Sequence, residues 1–217
     1  MKQRLFLTSA GIVKEIRKEF LQLLGKDPKK SVVYFIATAA DPQKDRGFVE
    51  ADRKKLRKIG LIIKELDLKR ENKNTLYKKL SACDVIYIGG GNTFYLLNWI
   101  RKSGFNEIIY DLLNKGKTYV GASAGSYIVC PTIEQATWKH QDRNRWGVKD
   151  LKALNLVPFL ISAHFEEKYR HIIEKAVKTA KYPIIALNDN QVVLVEGEKW
   201  RIAGKGKKVT FNFDKTP

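Results

Sequence analysis

A serine stands between two glycines where a predicted strand passes into a predicted helix. Residues 119–133 read YVGASAGSYIVCPTI, with Ser123 at the centre of Gly-Ala-Ser-Ala-Gly. In a nucleophile elbow, small neighbours permit the strained turn that projects a serine hydroxyl above a sheet, and the start of the next helix favours an oxyanion. A tight turn chosen for packing would show the same pattern. Its position between a strand and a helix favours Ser123 as a nucleophile.

A second glycine turn, Gly89-Gly90-Gly91-Asn92, follows another apolar segment. Glycines let backbone N–H groups come close to a ligand without side chains in the way. Neither G-x-G-x-x-G nor a P-loop Lys-Ser/Thr follows, so a nucleotide site is only weakly indicated. We expect the N–H groups of Ala124 and of Gly90 or Gly91 to form an oxyanion hole, in which one donor is typically worth ~10²–10³ in rate.

A serine nucleophile needs a base, and the sequence contains three histidines. His140 lies in a polar segment, and His171 lies within a predicted surface helix. His164 ends the apolar segment PFLISAHF, at the expected carboxyl end of a strand. We therefore predict that His164 lies at the same sheet edge as Ser123 and acts as the general base.

The third member of such a site is a carboxylate that orients the imidazole. Asp189 follows the apolar segment IIAL, again at a predicted strand end, and is our first choice. Its Asn-Asp-Asn context is equally typical of an ordinary turn. Glu134 and Asp142 remain alternatives, because both follow Ser123 in a polar segment, residues 134–150, that is predicted to be a long and functional loop.

Strand and helix patterns alternate along the chain, which predicts an α/β fold. We expect a doubly wound, mainly parallel sheet with helices on both faces, and antiparallel hairpins near the C-terminus at turns 196–198 and 204–206. One domain should cover residues 1–217. The predicted strands are residues 5–9, 31–40, 61–68, 84–91, 117–123 and 158–165. The predicted helical segments are residues 13–24, 48–60, 74–83, 92–116 and 169–180, of which 92–116 forms one or two helices.

Composition narrows the possible partners and location. The net charge is +18, but the lysines are spread over all predicted helices, which favours a solvated surface over a nucleic-acid site. No segment reaches the ~18 apolar residues of a membrane span, and the N-terminus lacks the apolar stretch of a signal peptide. We predict a cytoplasmic protein with two reduced cysteines and no membrane partner. No metal-binding pattern is present, and no cofactor is expected.

Three segments, in the same order along the chain, resemble the peptidase E family of serine peptidases. They are VIYIGGGNTFYLL, GASAGSYIVCPTI and LNLVPFLISAHF, and the resemblance extends from the first strand to about Gly204. The family includes α-aspartyl dipeptidase, with cyanophycinase as a more distant relative. The resemblance implies a fold like that of class I glutamine amidotransferases, with Ser123 as nucleophile, His164 as base and Asp189 as the acidic member.

The chain departs from the aspartyl dipeptidase at three points. Asp189 stands where the dipeptidase has a Glu, and the aligned segment after CPTI reads ATWK instead of containing an Asn-Asp pair. A Gly- and Arg-containing insertion after the catalytic His strand is absent. We predict Asn92 and Arg170 as substrate-binding residues, with Lys168 as an alternative to Arg170.

These observations favour a serine exopeptidase or dipeptidase that cleaves short peptides and acts as a monomer or homodimer. The basic surface would suit an acidic peptide. A cyanophycinase-like amide hydrolase is one alternative. The other is a non-catalytic relative on the same fold that binds a small metabolite or nucleic acid.

Overall fold

A seven-stranded, mainly parallel sheet organises the computed structural model, which describes residues 3–139 and 142–213. The first five strands in spatial order are parallel, and the last two are antiparallel to their neighbours. In that order the strands are β3 (Ile62–Leu66), β2 (Val32–Ile36), β4 (Val85–Ile88), β5 (Thr118–Ala122), β1 (Arg4–Thr8), β8 (Gln191–Glu196) and β9 (Lys199–Gly204).

Both faces of this sheet are buried, because the central strands are apolar on both sides. In β1, Leu5 and Leu7 face one core while Phe6 faces the other. The helices α1 (Arg17–Leu24) and α2 (Gly47–Ile59) cover the Phe6 face. The opposite face is covered by α3 (Lys73–Ser81), α4 (Thr93–Lys102), α5 (Phe105–Asn114) and α6 (Ala124–Tyr127). The predicted doubly wound fold is confirmed.

The segment 158–165 does not lie in the central sheet, and our prediction that it does was wrong. Its strand β6 (Leu160–Ser162) pairs with β7 (Ile184–Ala186), which also pairs with β10 (Val209–Phe211), in a separate three-stranded sheet. The physical reason is that β1 has no free edge, since β5 and the antiparallel β8 pair with its two sides. α7 (Arg170–Val177) packs against the same core as this second sheet through Ile173.

Several boundaries also differ from the sequence prediction. Strand β2 ends at Ile36, because Thr38–Ala40 forms a 3₁₀ turn. The hairpin of β8 and β9 is confirmed, whereas the predicted hairpin at 204–206 does not form, since β10 joins the second sheet. In residues 3–139 and 142–213, no helix combines the length and apolarity needed to cross a bilayer.

Candidate active site

The turn at Ser123 joins the end of β5 directly to the start of α6. Ser123 has φ 50° and ψ −108°, a strained conformation for a residue with a side chain. Its backbone N–H donates to Thr8 O at 2.9 Å, which ties the turn to the end of the neighbouring strand β1. The backbone thus has the form that a nucleophile elbow requires.

Gly125 explains why α6 can begin so close to the sheet. A Cβ at this position would lie 2.0 Å from Ile88 O at the end of β4, so only glycine fits. Ser126 secures the other side, donating from its Oγ to Thr8 O at 2.7 Å and accepting from Thr8 N at 3.0 Å. Gly125 and Ser126 therefore fix the turn against two different strands, β4 and β1.

Backbone donors surround the Ser123 turn. Within the described chain, the N–H groups of Gly90 and Gly91 donate to no protein acceptor, and both residues line the cavity at Ser123. Ala124 is the first residue of α6, where helix geometry leaves the N–H without an intrahelical acceptor. These are the groups from which an oxyanion hole can be built.

His164 and Asp189 form a hydrogen-bonded pair at the ends of β6 and β7. The distance between His164 Nδ1 and Asp189 Oδ1 is 2.7 Å. The hydrogen bond from His164 lowers the pKa of Asp189 and outweighs the burial that opposes it, and the charges of Lys139 and Lys55 add to the effect. An ionised carboxylate only accepts, so Nδ1 carries the proton and Nε2 is free to act as a base.

Ser9 connects the His164–Asp189 pair to the central sheet. It directly follows β1, and its buried Oγ accepts from His164 N at 3.0 Å and donates to Leu187 O at 2.9 Å. Tyr127 OH adds a second link, accepting from Ala163 N at 3.1 Å. Sequence analysis missed Ser9, although its place at the carboxyl end of a strand was a usable signal.

Ser123 and His164 line one cavity of about 330 Å³, together with Gly90 and Gly91. It lies at the carboxyl ends of β4, β5 and β1, where open α/β sheets bind ligands. Among the described residues, no hydrogen bond joins Ser123 Oγ to His164. Such bonds are often long before substrate binds.

Comparison with known proteins places the chain in a family. Residues 5–203 match the model of Peptidase family S51. This chain belongs to peptidase family S51. It is therefore a serine-type peptidase.

Relatives of this S51 chain cover nearly its whole length. An uncharacterized peptidase of Listeria monocytogenes is 30% identical over 200 residues, covering 91% of this chain and 96% of its own. A peptidase E of Nostoc is 28% identical, covering 91% and 81%. A crystal structure of a candidate peptidase E from Listeria monocytogenes EGD-e superimposes with a TM-score of 0.82 at 29% identity, covering 94% and 99%.

Two residues predicted to bind substrate do not line the cavity of this S51 peptidase. Asn92 caps α4, where its Oδ1 accepts from Tyr95 N at 3.0 Å and its Nδ2 donates to Arg143 O at 3.1 Å. Arg170 pairs with Glu167 and Glu174 at the start of α7. Both side chains are thus engaged in local structure. His171 lies in α7, and His140 lies outside the described residues.

The alternative acids also have other partners. Asp142 is half-buried and accepts from Thr93 N at 2.8 Å at the start of α4, and its partial burial raises its pKa. Glu134 accepts from Thr132 Oγ1 at 3.3 Å. Within the described residues, Asp189 is the carboxylate hydrogen-bonded to His164.

Lys139 lies beside His164. It belongs to the segment ATWK, where the chain departs from the aspartyl dipeptidase. Its Nζ donates to the carbonyl oxygens of Ala163 and His164, and it lies over the ring of Tyr169. Burial lowers the pKa of Lys139 to about 8, although Asp189 and Glu166 oppose this shift. In residues 3–139 and 142–213, no group of His, Cys, Asp or Glu side chains has a metal-binding arrangement.

Proposed function

We propose that this S51 peptidase hydrolyses short peptides through Ser123, His164 and Asp189. The observation that carries the proposal is that Ser123, in its strained turn, and His164, which is hydrogen-bonded to Asp189, line the same cavity. Such a constellation is identified by geometry and by the role of each group.

The proposed reaction has two halves. Ser123 Oγ attacks the peptide carbonyl carbon while His164 Nε2 accepts the hydroxyl proton, and backbone N–H groups near Ser123 hold the oxyanion. The C–N bond then breaks, and His164 returns the proton to the leaving amine. Water, deprotonated by the same Nε2, cleaves the acyl-enzyme and restores the Ser123 hydroxyl.

Asp189 supports both halves by holding the imidazole. Its carboxylate keeps Nδ1 protonated and stabilises the imidazolium that forms when Nε2 accepts a proton. The lowered pKa of Asp189 favours the charged form that this role needs.

The size of the cavity supports short substrates. A volume of about 330 Å³ is at the lower end of the range for small-ligand sites, roughly 300–1,000 Å³. A dipeptide or the end of a short peptide fits such a volume better than a folded protein strand does.

The test is a screen of di- to pentapeptides, with cleavage products identified by mass spectrometry. We expect the wild-type protein to release products from short peptides and Ser123→Ala to lose turnover by at least ~10⁴-fold. Ser81→Ala, at the end of α3 and away from the cavity, is the matched control and should remain fully active. Equal turnover by the wild type and Ser123→Ala would overturn the proposal.

A further inference from the structure

An ion pair forms the cavity wall on the side of α2. Lys55 Nζ donates to Asp52 Oδ1 at 2.8 Å and to Ala10 O at 2.5 Å, in the loop after β1. Lys55, Asp52 and Ala10 all line the same cavity as Ser123. None of the steps proposed above uses this pair.

The carboxylate of the pair is fixed from behind. Asp52 is 6% exposed, and its Oδ2 accepts from the buried hydroxyl of Tyr87 at 2.7 Å. Space for this contact depends on Gly11, where a Cβ would come within 2.5 Å of Tyr87 OH and 2.6 Å of Asp52 Oδ1. Asp52 therefore has both oxygens occupied and acts as a rigid anchor for Lys55.

Lys55 retains capacity for a ligand. Its ammonium carries three donors, of which two are used, and 27% of its side chain is exposed. Its charge also reaches the base: beside the main effect of the His164 hydrogen bond, Lys55 helps to lower the pKa of Asp189. The positive field of Lys55 thus extends to the side of the cavity where His164 lies.

The leaving part of the peptide must lie on that side, because His164 delivers the proton to the leaving nitrogen. In a dipeptide the C-terminal carboxylate carbon is only ~2.5 Å from this nitrogen, two bonds away. Lys55 and His164 line the same cavity, so the ammonium of Lys55 can meet this carboxylate there. We propose that Lys55 binds the C-terminal carboxylate of the leaving residue, which makes this peptidase selective for a free chain end.

This inference rests on the proposed function, and its test separates the two. The substrates are the dipeptide cleaved fastest in the peptide screen and the same dipeptide with a C-terminal amide. We expect the wild type to favour the free acid in kcat/KM by roughly 10- to 100-fold, since an ion-paired hydrogen bond is lost in the amide. Lys55→Met should lose this preference while cleaving the amide within about 3-fold of the wild-type rate, as expected when only one contact is removed.

Lys54→Met is the matched control, because Lys54 is exposed on the same helix and does not line the cavity. It should keep the wild-type preference, and Lys55→Arg should keep part of it. An equal loss on acid and amide in Lys55→Met would assign Lys55 a structural role and overturn the inference. The inference would also be overturned if the wild type, but not Lys55→Met, preferred Asp over Asn at the leaving position of amidated peptides.

A second measurement does not depend on peptide turnover. Aryl phosphonates that react with serine carry either a 2-carboxyphenoxide or a 2-carbamoylphenoxide leaving group, whose ortho substituent lies close to the leaving oxygen, as the carboxylate of a dipeptide lies close to the leaving nitrogen. In the reaction, the Ser123 Oγ–P bond forms, the phenoxide departs and His164 accepts the proton. The ratio of the two labelling rates should fall roughly 10-fold or more in Lys55→Met. An unchanged ratio contradicts the inference alone, whereas no labelling of Ser123 by either reagent contradicts the proposed function as well.

Discussion

The Ser123 turn and the His164–Asp189 pair reach the same cavity from differently built regions. The turn consists of contiguous residues whose geometry is set by β5, α6 and the neighbouring strand ends. The pair depends on a second sheet, which the hydrogen bonds of Ser9 and Tyr127 link to the first region. The nucleophile's geometry is therefore local, while that of its base is a property of the tertiary structure.

Both regions hold a non-glycine residue at positive φ, 50° at Ser123 and 54° at His164. Such strain of about 1–3 kcal/mol persists only where the surroundings fix the conformation. Ser123 is fixed by its own sheet, and His164 is fixed by Ser9 from the other sheet. Substitutions can therefore disturb one region and spare the other.

The largest effect on the pair should come from Asp189→Asn. An amide cannot stabilise the imidazolium as the carboxylate does, so we expect kcat to fall on the order of 10³–10⁴-fold. Because the Asp189 side chain is 57% exposed, the free energy of unfolding should change by less than about 1 kcal/mol.

Asp189→Glu is the matched variant, since the aspartyl dipeptidase carries Glu at this point. It keeps the charge and displaces it by one methylene, so we expect a loss of about 10–100-fold. Peptidase assays with urea unfolding check both variants, and wild-type activity in Asp189→Asn would remove Asp189 from the mechanism.

Gly125→Ala should break the other region. The added Cβ would meet Ile88 O at 2.0 Å, so α6 must move away from β4. We expect the free energy of unfolding to fall by about 2–4 kcal/mol and labelling of Ser123 to fail. Gly89→Ala is the control, because its Cβ would find its nearest neighbour at 3.6 Å and cost about 1 kcal/mol or less. Equal stability of the two variants would show that the close approach of α6 is not needed.

Ser9→Ala should loosen the connection between the regions. It removes the partner of His164 N and one of the two donors to Leu187 O, which still accepts from Phe165 N, and we expect kcat to fall about 10–100-fold with a smaller change in KM. Stability should fall by about 1–3 kcal/mol, because the backbone N–H of His164 loses its partner. Ser162→Ala is the control, since this buried hydroxyl has no partner in the described chain and its loss should be nearly neutral. If the phosphonate labels Ser123 at the wild-type rate in Ser9→Ala, Ser9 does not position the base.

The smallest expected effect concerns Lys139 and depends on pH. The folded protein releases the Lys139 proton near pH 8, whereas the unfolded chain keeps it to about 10.4. Between these values the unfolded state binds more protons, so the free energy of unfolding rises with pH. From pH 8 to 10, the wild type should gain about 1–2 kcal/mol relative to Lys139→Met. Urea unfolding of both proteins at pH 8 and pH 10 measures this gain. An equal change in the free energy of unfolding in the two proteins would contradict the burial of the Lys139 amine.

The sequence predicted individual strand ends better than their assembly. Ser123, Gly90 and Gly91 were placed at carboxyl ends of strands because apolar segments run directly into glycine turns. His164 was also placed at a strand end, but in the wrong sheet. Nothing local in the three residues of β6 shows that β8 already occupies the free edge of β1.

The cavity wall of Lys55 and Asp52 could not be predicted for a related reason. In the sequence DRKK they look like an ordinary pair on the polar face of a lysine-rich helix. Their burial depends on Gly11 and Tyr87, which are distant in the chain and meet only when β1 and β4 lie in one sheet. Periodicity describes which face of a helix is polar but not which polar residues will be enclosed.

The central claim is that a base from the second sheet activates a serine of the first. Labelling by an aryl phosphonate, followed by mass spectrometry of the digested protein, tests it most directly in the wild type and His164→Ala. We predict a single adduct on the peptide that contains Ser123, formed at least ~10²-fold more slowly in His164→Ala. An adduct on another serine, or equal rates in the two proteins, would contradict the account.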